Sequence, residues 1–566
     1  MGLGVLEDRH LQHVPGTATL EDLHPLHPTT SPHHPATAHA HLQHTPAGLI
    51  LIPQPSASPH DPLNWSLARR DSITAILCLL SVIAATLSPL LAANTLTLTL
   101  YFEHSFTDIA LLTGYHLLGV GLAGFLFVAS ARVWGKRHLY LLGTVVIIVS
   151  SAWGGASGPM NGCADQRCRD RAYKSLLAAR FFQGVGLAPF EALVNASVGD
   201  LYFVHERGKR MALSNLCLFG GAFFTPVIVG KLTHTLGWQW SFYLLAIFAA
   251  AMLPLVVLFV PETTFVRDDG PTPDASSTPN QGQEFFKSDH ELHPRPGPNS
   301  PSPSTDRTRG APPPLLSRAN LRPLSPRFTA TPLPILLLRP FPLFLHPAIL
   351  WACLIQGTLI GWTVLIGIVL AAIMLGPPLF FNEVQTGYMY TGAFLGAVLG
   401  FALAGLISDW SVKFLTRRNG GVYEPEFRLL LVVPQLVLGC AGLYGFGITA
   451  ADTARYGWFW PDFFFALEVA GMVLGAVASA LYLVDAHGDL GVEGFTCLLV
   501  FKNVFSFGLT FSGYGWLVSG GIRPVFVAIG SVQVVVCCLT VFMYVFGKRN
   551  RSFFARHDIL AKLKLR

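Results

Sequence analysis

Long apolar runs separated by short polar loops dominate the chain. Each run is close to the roughly 20 residues that a helix needs to cross the core of a bilayer. Six runs precede a long polar interruption and six follow it: 72–93, 107–131, 138–155, 174–199, 210–232 and 240–260, then 348–374, 385–408, 428–448, 459–484, 494–518 and 524–547. This pattern predicts an all-α membrane protein with twelve transmembrane helices.

Polar segments divide the chain into five parts. Residues 1–70 hold ten of the twenty histidines and no signal-peptide apolar region, which predicts a disordered cytosolic tail. Residues 71–262 and 346–548 are predicted to form two six-helix bundles. The Pro- and Ser-rich residues 263–345 predict a disordered cytosolic linker, and residues 549–566 a cytosolic tail. The histidines are irregularly spaced and interrupted by prolines, so no metal site is predicted.

Composition and charge agree with a membrane protein. The chain is 51% hydrophobic and only 12% charged, about half the charged share of a soluble protein. Its net charge of +6 does not indicate nucleic-acid binding, because Lys and Arg lie in short clusters beside the apolar runs. Most clusters fall on one side of a twelve-span order, which predicts that this side and both termini are cytosolic. The loop with Arg167, Arg169, Arg171 and Lys174 falls on the other side.

Five motifs occur in a fixed order along the chain. They are Asp61-Pro-Leu-Asn-Trp65, Arg180-Phe-Phe-Gln-Gly184, Gly237-Trp-Gln-Trp240, Pro261-Glu-Thr-Thr264 and the stretch from Arg417 to Leu429. The first four resemble the DPxNW, RxxQG, GWRW and PET signatures of fungal major facilitator superfamily transporters of the twelve-span drug:proton antiporter group. The fifth resembles a stretch seen in one branch of these proteins. The resemblance runs from about Asp61 to the end, apart from the linker, and implies the major facilitator fold of two six-helix bundles.

The loop motifs depart from the family pattern in one place. Between the second and third spans, Gly135, Lys136 and Arg137 keep the expected basic end, but Arg132 stands where the family has an acidic residue. The counterpart in the second half keeps Asp409. The resemblance implies that these loops lock the bundles together in one state. Gly135, Lys136, Arg137 and Asp409 are therefore gating candidates, and how the lock is made without the acid stays open.

Two charged residues lie on one face of the fourth span. Arg180 and Glu191 are eleven residues apart, which returns a helix to nearly the same face, with Gln183 between them. Charged side chains inside a bilayer face a wet cavity or a partner. The stripe therefore predicts either a cavity wall, with Arg180 and Gln183 as substrate contacts, or a structural ion pair with a neighbouring helix.

The second half holds a matching pair of charges. Glu468 and Lys502 both lie near mid-depth in their spans, so they could pair or both face the cavity. Because a carboxyl group in a low-dielectric site exchanges protons closer to neutral pH, Glu191 and Glu468 are the candidates for proton coupling. Asn94 and Asn503 are candidates for hydrogen bonds to substrate, or to a neighbouring helix.

These features predict a secondary active transporter that works by alternating access, with proton-coupled efflux of a drug or secondary metabolite as the first hypothesis. Proton-coupled uptake of a small cationic nutrient such as a polyamine, and a transporter-like receptor or sensor, are the alternatives. No GxxxxGK[ST] motif occurs in the sequence, which disfavours an ATP-driven pump. We expect no enzymatic chemistry, cofactor, metal or nucleic acid. The expected partners are the lipid bilayer, a small-molecule substrate and protons, for a monomer in the plasma membrane.

Two cysteines stand apart from the other seven. Cys163 and Cys168 lie in the polar loop before the fourth span, whereas the rest lie in apolar runs. If that loop is extracellular, as predicted, a disulfide between them would persist there. The sequence therefore leaves a small-loop disulfide and two free thiols as alternatives.

Overall fold

A computed structural model describes residues 3–8, 10–11, 14–19, 53–56, 58–158, 165–266, 322 and 324–565. Within these residues almost all regular structure is helical. The exception is a pair of two-residue strands, β1 (Ala18–Thr19) and β2 (Val422–Tyr423), which pair antiparallel. The helices form two bundles, each with its own apolar core.

The first bundle surrounds buried side chains that include Tyr140, Leu187 and Phe242. Its helices are α1 (Leu67–Ala85), α2 (Thr95–Phe102), α3 (Phe106–Trp134), α4 (Arg137–Ala156), α5 (Gln166–Leu201), α6 (Val204–Leu236) and α7 (Trp238–Phe259). The first predicted span, 72–93, covers most of α1 and the residues that precede α2, and α3 to α7 are the second to sixth predicted spans.

The linker contributes two short helices before the second bundle, α8 (Leu333–Leu338) and α9 (Pro340–Leu343). The second bundle contains α10 (Pro347–Leu375), α11 (Glu383–Tyr388), α12 (Tyr390–Arg418), α13 (Val432–Ala450), α14 (Thr453–Tyr456), α15 (Phe459–Ala486), α16 (Gly491–Gly520), α17 (Ile522–Arg556) and α18 (Ile559–Lys562). The eighth span is α11 with α12, and the tenth and eleventh spans are α15 and α16.

The predicted all-α fold with two bundles is confirmed. Among the described residues, ten helical segments are long and apolar enough to cross a membrane. The two predicted spans outside this set are the broken first span and α5, and both contain several charged side chains. A single glycine joins the last two helices of each bundle, Gly237 in the first and Gly521 in the second. Both have positive φ, of 91° and 78°, so the two halves turn alike here.

The first span differs from the predicted continuous helix at 72–93. Helix α1 ends at Ala85, and the chain becomes helical again only at Thr95. Pro89 lies between them and has no N–H to continue the helical hydrogen bonds. The first span is therefore two helical pieces joined by a non-helical segment inside the bundle, and we call residues 86–94 the first-span break.

Glycines allow α3 to lie close to helices of both bundles. Gly119 of α3 faces the backbone of Phe181 in α5. On the other side of α3, Gly114 and Gly124 face Thr510 and Leu499 of α16. An added Cβ at any of these glycines would collide with its neighbour. The contact between α3 and α16 is thus the long interface between the two bundles.

The last part of the linker is ordered, which corrects the prediction of disorder for all of 263–345. The N–H of Phe328 donates to the carbonyl of Val133 at 2.9 Å, and Leu336 is buried. The ring of Phe341 packs on that of Phe125, with 4.8 Å between centroids. Residues 324–345 therefore lie across the end of α3, whereas 267–321 are outside the described residues.

We expect deletion of residues 271–325 to preserve folding and transport. Thr263 and Phe328, which hydrogen-bond to the first bundle, both lie outside the deletion. Shortening a connector changes its closure entropy only slowly with length. The measurement is surface expression and the unfolding temperature of the deleted protein against the intact one. Loss of expression that a flexible replacement of equal length does not restore would contradict this expectation.

Both termini contact the second bundle or the linker, and the N-terminal one differs in part from the disordered tail predicted at 1–70. Residues 3–19, with gaps, lie against the second bundle, and β1 is part of this segment. At the other end α17 continues to Arg556, and the Leu565 carbonyl accepts a hydrogen bond from Arg339 Nε at 2.6 Å. The tail predicted at 549–566 thus begins within α17 and ends against the linker. Residues 20–52 lie outside the described part of the chain.

A disulfide involves one of the two loop cysteines. Cys168 is disulfide-bonded, and Cys163 lies outside the described residues. The pairing of Cys163 with Cys168 stays a prediction. We expect neither thiol to react with a membrane-impermeant maleimide until the protein is reduced. Labelling of either one without reduction would contradict the pairing.

Candidate functional site

One ion pair joins the two bundles inside the membrane-spanning region. Lys502 Nζ of α16 contacts Glu191 Oε1 of α5. Their side chains are 12% and 14% exposed, so both are largely withdrawn from solvent. Glu191 comes from the fourth span and Lys502 from the eleventh, so the pair crosses from one bundle to the other. Any motion that separates these helices must break it.

Glu468 is placed apart from Lys502, although the sequence allowed those two to pair. It is fully buried in α15, and Glu468 Oε1 accepts a hydrogen bond from Thr363 Oγ1 of α10 at 2.8 Å. Its second oxygen, Oε2, has no hydrogen-bond partner among the described residues. The absence of a side chain at Gly442 lets α13 approach Glu468 closely. This carboxyl group therefore keeps one unsatisfied oxygen inside the second bundle.

Arg180 lies inside the first bundle rather than on a cavity stripe with Glu191. It is fully buried, and its Nη1 donates to the Leu87 carbonyl at 2.7 Å while Nη2 donates to the Ser88 carbonyl at 3.3 Å. Arg180 Nη1 also donates to Gln183 Oε1 at 2.9 Å, and Gln183 Nε2 donates to Ser151 Oγ at 3.0 Å. The arginine thus supplies donors to carbonyls of the first-span break.

The two asparagines have different surroundings. Asn94, at the end of the first-span break, is fully buried, and neither its Oδ1 nor its Nδ2 has a partner among the described residues. Asn503 Nδ2 donates to the Leu499 carbonyl of its own helix at 2.9 Å, and its Cβ lies next to Gly121. A buried amide without partners is unfavourable unless something else binds it. Asn94 is therefore the better candidate for a substrate contact, and Asn503 packs the interface.

The Lys- and Arg-rich loops that were predicted to be cytosolic lie at the same end of the helices in both bundles. We call this end the basic end. There Gly135 adopts φ 83° and faces the Glu262 carboxylate so closely that a Cβ would collide with it. The two oxygens of Glu262 accept from the N–H groups of Lys136 and Arg137, both at 3.0 Å. Lys136 Nζ also pairs with Asp200 at 2.5 Å. The loop motif therefore binds the PET motif and the end of α5, all within the first bundle.

A second charged cluster at the basic end connects the bundles. Arg132 Nη1 of α3 contacts Glu493 Oε1 at 2.6 Å, and both side chains are about 95% buried. Arg339, between α8 and α9 of the linker, approaches the same Glu493 oxygen at 3.7 Å. Glu493 is in the first turn of α16, where the helix dipole favours a negative charge. We call Arg132, Arg339 and Glu493 the basic-end clamp.

The clamp explains the departure of Arg132 from the family pattern. A carboxylate is present at this contact, but it is Glu493 of α16 that supplies it and not position 132. Sequence reasoning identified Arg132 but not Glu493 or Arg339. An acidic residue directly before the predicted span 494–518 was the available signal.

Among the described residues, Asp409 of the second half makes no equivalent contact at the basic end. Asp409 is exposed, and nothing lies within 4 Å of a Cβ built at Gly405. Arg428 instead contacts Asp485 at 2.9 Å, which is within the second bundle. At the basic end, α3 and α16 hold the two bundles together. Asp409 of α12 does not contribute to this contact.

Contacts at the end opposite the basic end also cross between bundles. Glu383 of α11 accepts a hydrogen bond from Thr97 Oγ1 of α2 at 2.6 Å and lies 4.0 Å from His234 Nδ1 of α6. Phe106 and Tyr514 stack with 5.1 Å between ring centroids, which joins α3 to α16 there as well. The sequence analysis singled out none of these residues. Among the described residues, no group of three His, Cys, Asp or Glu side chains could hold a metal ion.

Comparison with known proteins gives matches over most of the chain. A family model described as Major Facilitator Superfamily matches residues 65–492. Protein HOL1 of Saccharomyces cerevisiae is 25% identical over 562 residues, which cover 91% of this chain and 92% of that protein. Multidrug transporter TPO1_2 of Candida glabrata is 28% identical over 210 residues, or 36% of this chain and 34% of that protein.

A solved structure has a similar arrangement of helices. It is that of the proton:xylose symporter XylE bound to 6-bromo-6-deoxy-D-glucose, with a TM-score of 0.54 and 13% sequence identity. The match covers 85% of this chain and 96% of that one. At this identity the similarity concerns the fold alone.

Proposed function

Because the chain belongs to the major facilitator superfamily and is a membrane transporter rather than an enzyme, we propose that it exports a drug or a secondary metabolite in exchange for protons. In this proposal it works as a monomer in the plasma membrane, with its basic end and both termini in the cytosol. The superfamily supports alternating access, in which the two bundles rock about a central site.

The observation that carries the proposal is the ion pair between Glu191 and Lys502. Among the described residues, this ion pair lies within the membrane-spanning region and joins the two bundles. Opposite charges attract each other strongly in a low-dielectric site, so this ion pair holds α5 and α16 together. Protonation of Glu191 would remove that attraction and let α5 and α16 separate. Proton uptake would thus be linked to bundle movement.

Glu468 and Asn94 are the groups we assign to substrate and proton binding. Glu468 Oε2 and both side-chain atoms of Asn94 lack partners among the described residues. A buried polar group without a partner costs about 1–3 kcal/mol, so a substrate that satisfies it gains that much. The side chains come from different bundles, as expected for a site between two moving halves.

The motif resemblance favours efflux, and so does the partial similarity to a multidrug transporter. Uptake of a small cationic nutrient such as a polyamine is the second candidate. The observation favouring it is the buried carboxyl of Glu468, whose free oxygen would bind an ammonium group. The two candidates differ in direction and in the charge of the substrate.

A transport measurement in cells separates these candidates. A strain that lacks the gene is compared with one that expresses it, using radiolabelled spermidine, a lipophilic cationic dye and an azole drug. Efflux predicts lower accumulation of the dye or the azole in the expressing strain, and loss of the difference when the proton gradient is collapsed. Higher accumulation of spermidine would favour uptake instead. If each of the three compounds accumulates equally in the two strains, the proposed substrate classes are wrong.

Replacing Glu468 by Gln tests the proton role. Gln keeps the size and the acceptor for Thr363 but cannot take up a proton, and no cation is left without a partner. We expect a stability change below about 1 kcal/mol. Gradient-driven transport should fall at least about tenfold, while substrate exchange in proteoliposomes continues. Thr363→Val is the matched control, because it removes the hydrogen bond and keeps the carboxyl. Normal gradient-driven transport by Glu468→Gln would assign the proton site elsewhere.

A further inference from the structure

Four buried charges form a compact network at the basic end of the second bundle. Lys548 Nζ contacts Glu424 Oε1 at 2.7 Å, and Arg551 Nη2 contacts Glu424 Oε2 at 2.9 Å and Glu426 Oε2 at 2.8 Å. Glu424 and Glu426 come from the segment after β2, and the two cations from the end of α17. The network is balanced in charge, which makes its burial tolerable.

A second contact fixes β2 beneath this network. Tyr423 OH donates to Asp485 Oδ2 at 2.5 Å, and Arg428 Nε donates to the same oxygen at 2.9 Å. Burial and the adjacent Asp485 carboxylate raise the pKa of Tyr423 well above its ordinary value, so the phenol remains a donor. The strand edge is therefore held rigidly against α15. Tyr423 and Arg428 belong to the Arg417–Leu429 stretch, which contributes no residue to the proposed transport site.

The described parts of the chain's own N-terminal segment, residues 3–8, 10–11 and 14–19, lie on this surface. In β1, Ala18 is opposite Tyr423 and Thr19 is opposite Val422. Further back along the segment, the Leu6 N–H donates to the Val545 carbonyl of α17 at 3.0 Å. A two-residue strand pair alone would be too weak to hold a segment in place. Other contacts must therefore contribute to the docking.

Apolar and charged side chains of the segment supply those contacts. Val5 and Val14 are only 5% and 3% exposed. Glu7 Oε2 contacts Lys548 Nζ at 2.7 Å, which adds a second carboxylate to that cation. Thr17 Oγ1 donates to Glu424 Oε2 at 2.8 Å, and Arg551 Nη1 donates to the Pro15 carbonyl.

Gly16 fits the surface in a way that no other residue could. Its φ is 84°, a backbone conformation that favours glycine. A Cβ at this position would also collide with the Asp485 carbonyl and press on the side chains of Pro425 and Arg551. One methyl group should therefore disrupt the docking, which makes the contact a specific one.

We propose that the basic end of the second bundle is a peptide-binding site and that residues 3–19 are its built-in ligand. Recognition combines strand addition to β2, burial of two valines, and pairing of Glu7 with Lys548. The ligand precedes the first bundle in sequence but binds the second. The residues of this site do not include the Glu191–Lys502 pair, and the proposal does not rest on the proposed transport function.

Binding of a synthetic peptide in trans tests this proposal. A fluorescent peptide of residues 3–19 is titrated against detergent-solubilised protein that lacks residues 2–19, and against the intact protein. We expect saturable binding to the truncated protein and at least about tenfold weaker binding to the intact one, whose own segment occupies the site. Peptides with Gly16→Ala or Glu7→Lys should each bind about tenfold more weakly or worse. His10→Ala, at an exposed position, is the matched control and should bind normally.

Two results would overturn the proposal. One is equal binding of the peptide to intact and truncated protein, or no binding to either. The other is equal binding of the Gly16→Ala and unmodified peptides, which would mean that the peptide associates with the micelle or surface without using this site. If the truncated chain does not fold, intact protein with a protease site inserted between residues 20 and 52 is cut after purification. The labelled peptide should then displace the cut segment, and failure to do so counts against the proposal.

Discussion

Replacing Glu191 by Gln should abolish gradient-driven transport and destabilise the protein by about 3–5 kcal/mol. The substitution leaves Lys502 largely buried between the bundles without its counter-ion. This expectation differs from that for Glu468→Gln, which leaves no cation behind. The two carboxyl groups should therefore be separable by stability as well as by transport.

The double variant Glu191→Gln with Lys502→Met distinguishes a lost charge from a lost proton site. Removing both charges eliminates the unpaired cation, so the unfolding temperature in detergent should return close to that of the unmodified protein. Transport driven by the proton gradient should stay absent. If the double variant transports normally, the pair is only structural. If Glu191→Gln alone is as stable as the unmodified protein, the ion pair contributes nothing to holding the bundles together.

Reversing the charge of Arg132 should release the basic end. Arg132→Glu would place two carboxylates within the buried contact that Arg132 and Glu493 now form, with a cost of at least about 3–5 kcal/mol. We expect a lower unfolding temperature and a larger separation between spin labels at positions 209 and 413, which are exposed on the two bundles at the basic end. Arg132→Lys keeps the charge but loses the forked geometry, so its effect should be smaller.

A charge exchange tests whether Glu493 is the partner. In Arg132→Glu with Glu493→Arg the direct pair is restored, but Arg339 then faces another arginine. We therefore expect partial recovery from the double variant and fuller recovery when Arg339→Glu is added. A double variant no more stable than Arg132→Glu alone, with or without the third change, would show that the clamp is not a charge contact.

The sequence predicted the elements of the fold better than their partners. Apolar runs bounded by polar residues located the spans, because each helix must cover the same bilayer thickness. The break near Pro89 was missed because apolar residues continue through it, and the donor that stabilises it, Arg180, lies 91 residues after it. The hydrophobic pattern indicates that a segment can lie in the lipid core. It does not indicate whether the backbone of that segment is helical.

The pairing of charges could not be predicted without knowing how the two bundles pack against each other. Periodicity placed Glu191 on a face of α5 and Lys502 at mid-depth in α16. It could not show that those faces meet, because the relative rotation of two bundles is set by contacts far apart in sequence. The clamp shows the same limit, since Arg132 and Glu493 are separated by 361 positions. The ordered end of the linker had a local signal, the apolar run from Leu333 to Leu345, that was too short for a span.

The unequal contacts at the basic end have a consequence for the way the two bundles part. The contact between α3 and α16 is held at both ends, by the basic-end clamp and by Phe106 with Tyr514. The contact between α6 and the eighth span is close at Gly230 and Gly387, far from the exposed Asp409. At the basic end the two bundles are therefore held together more firmly between α3 and α16 than between α6 and the eighth span. Between α6 and α12 the rings of Phe219 and Phe401 lie 5.6 Å apart, so parting the bundles on this side breaks a ring contact rather than a charge contact.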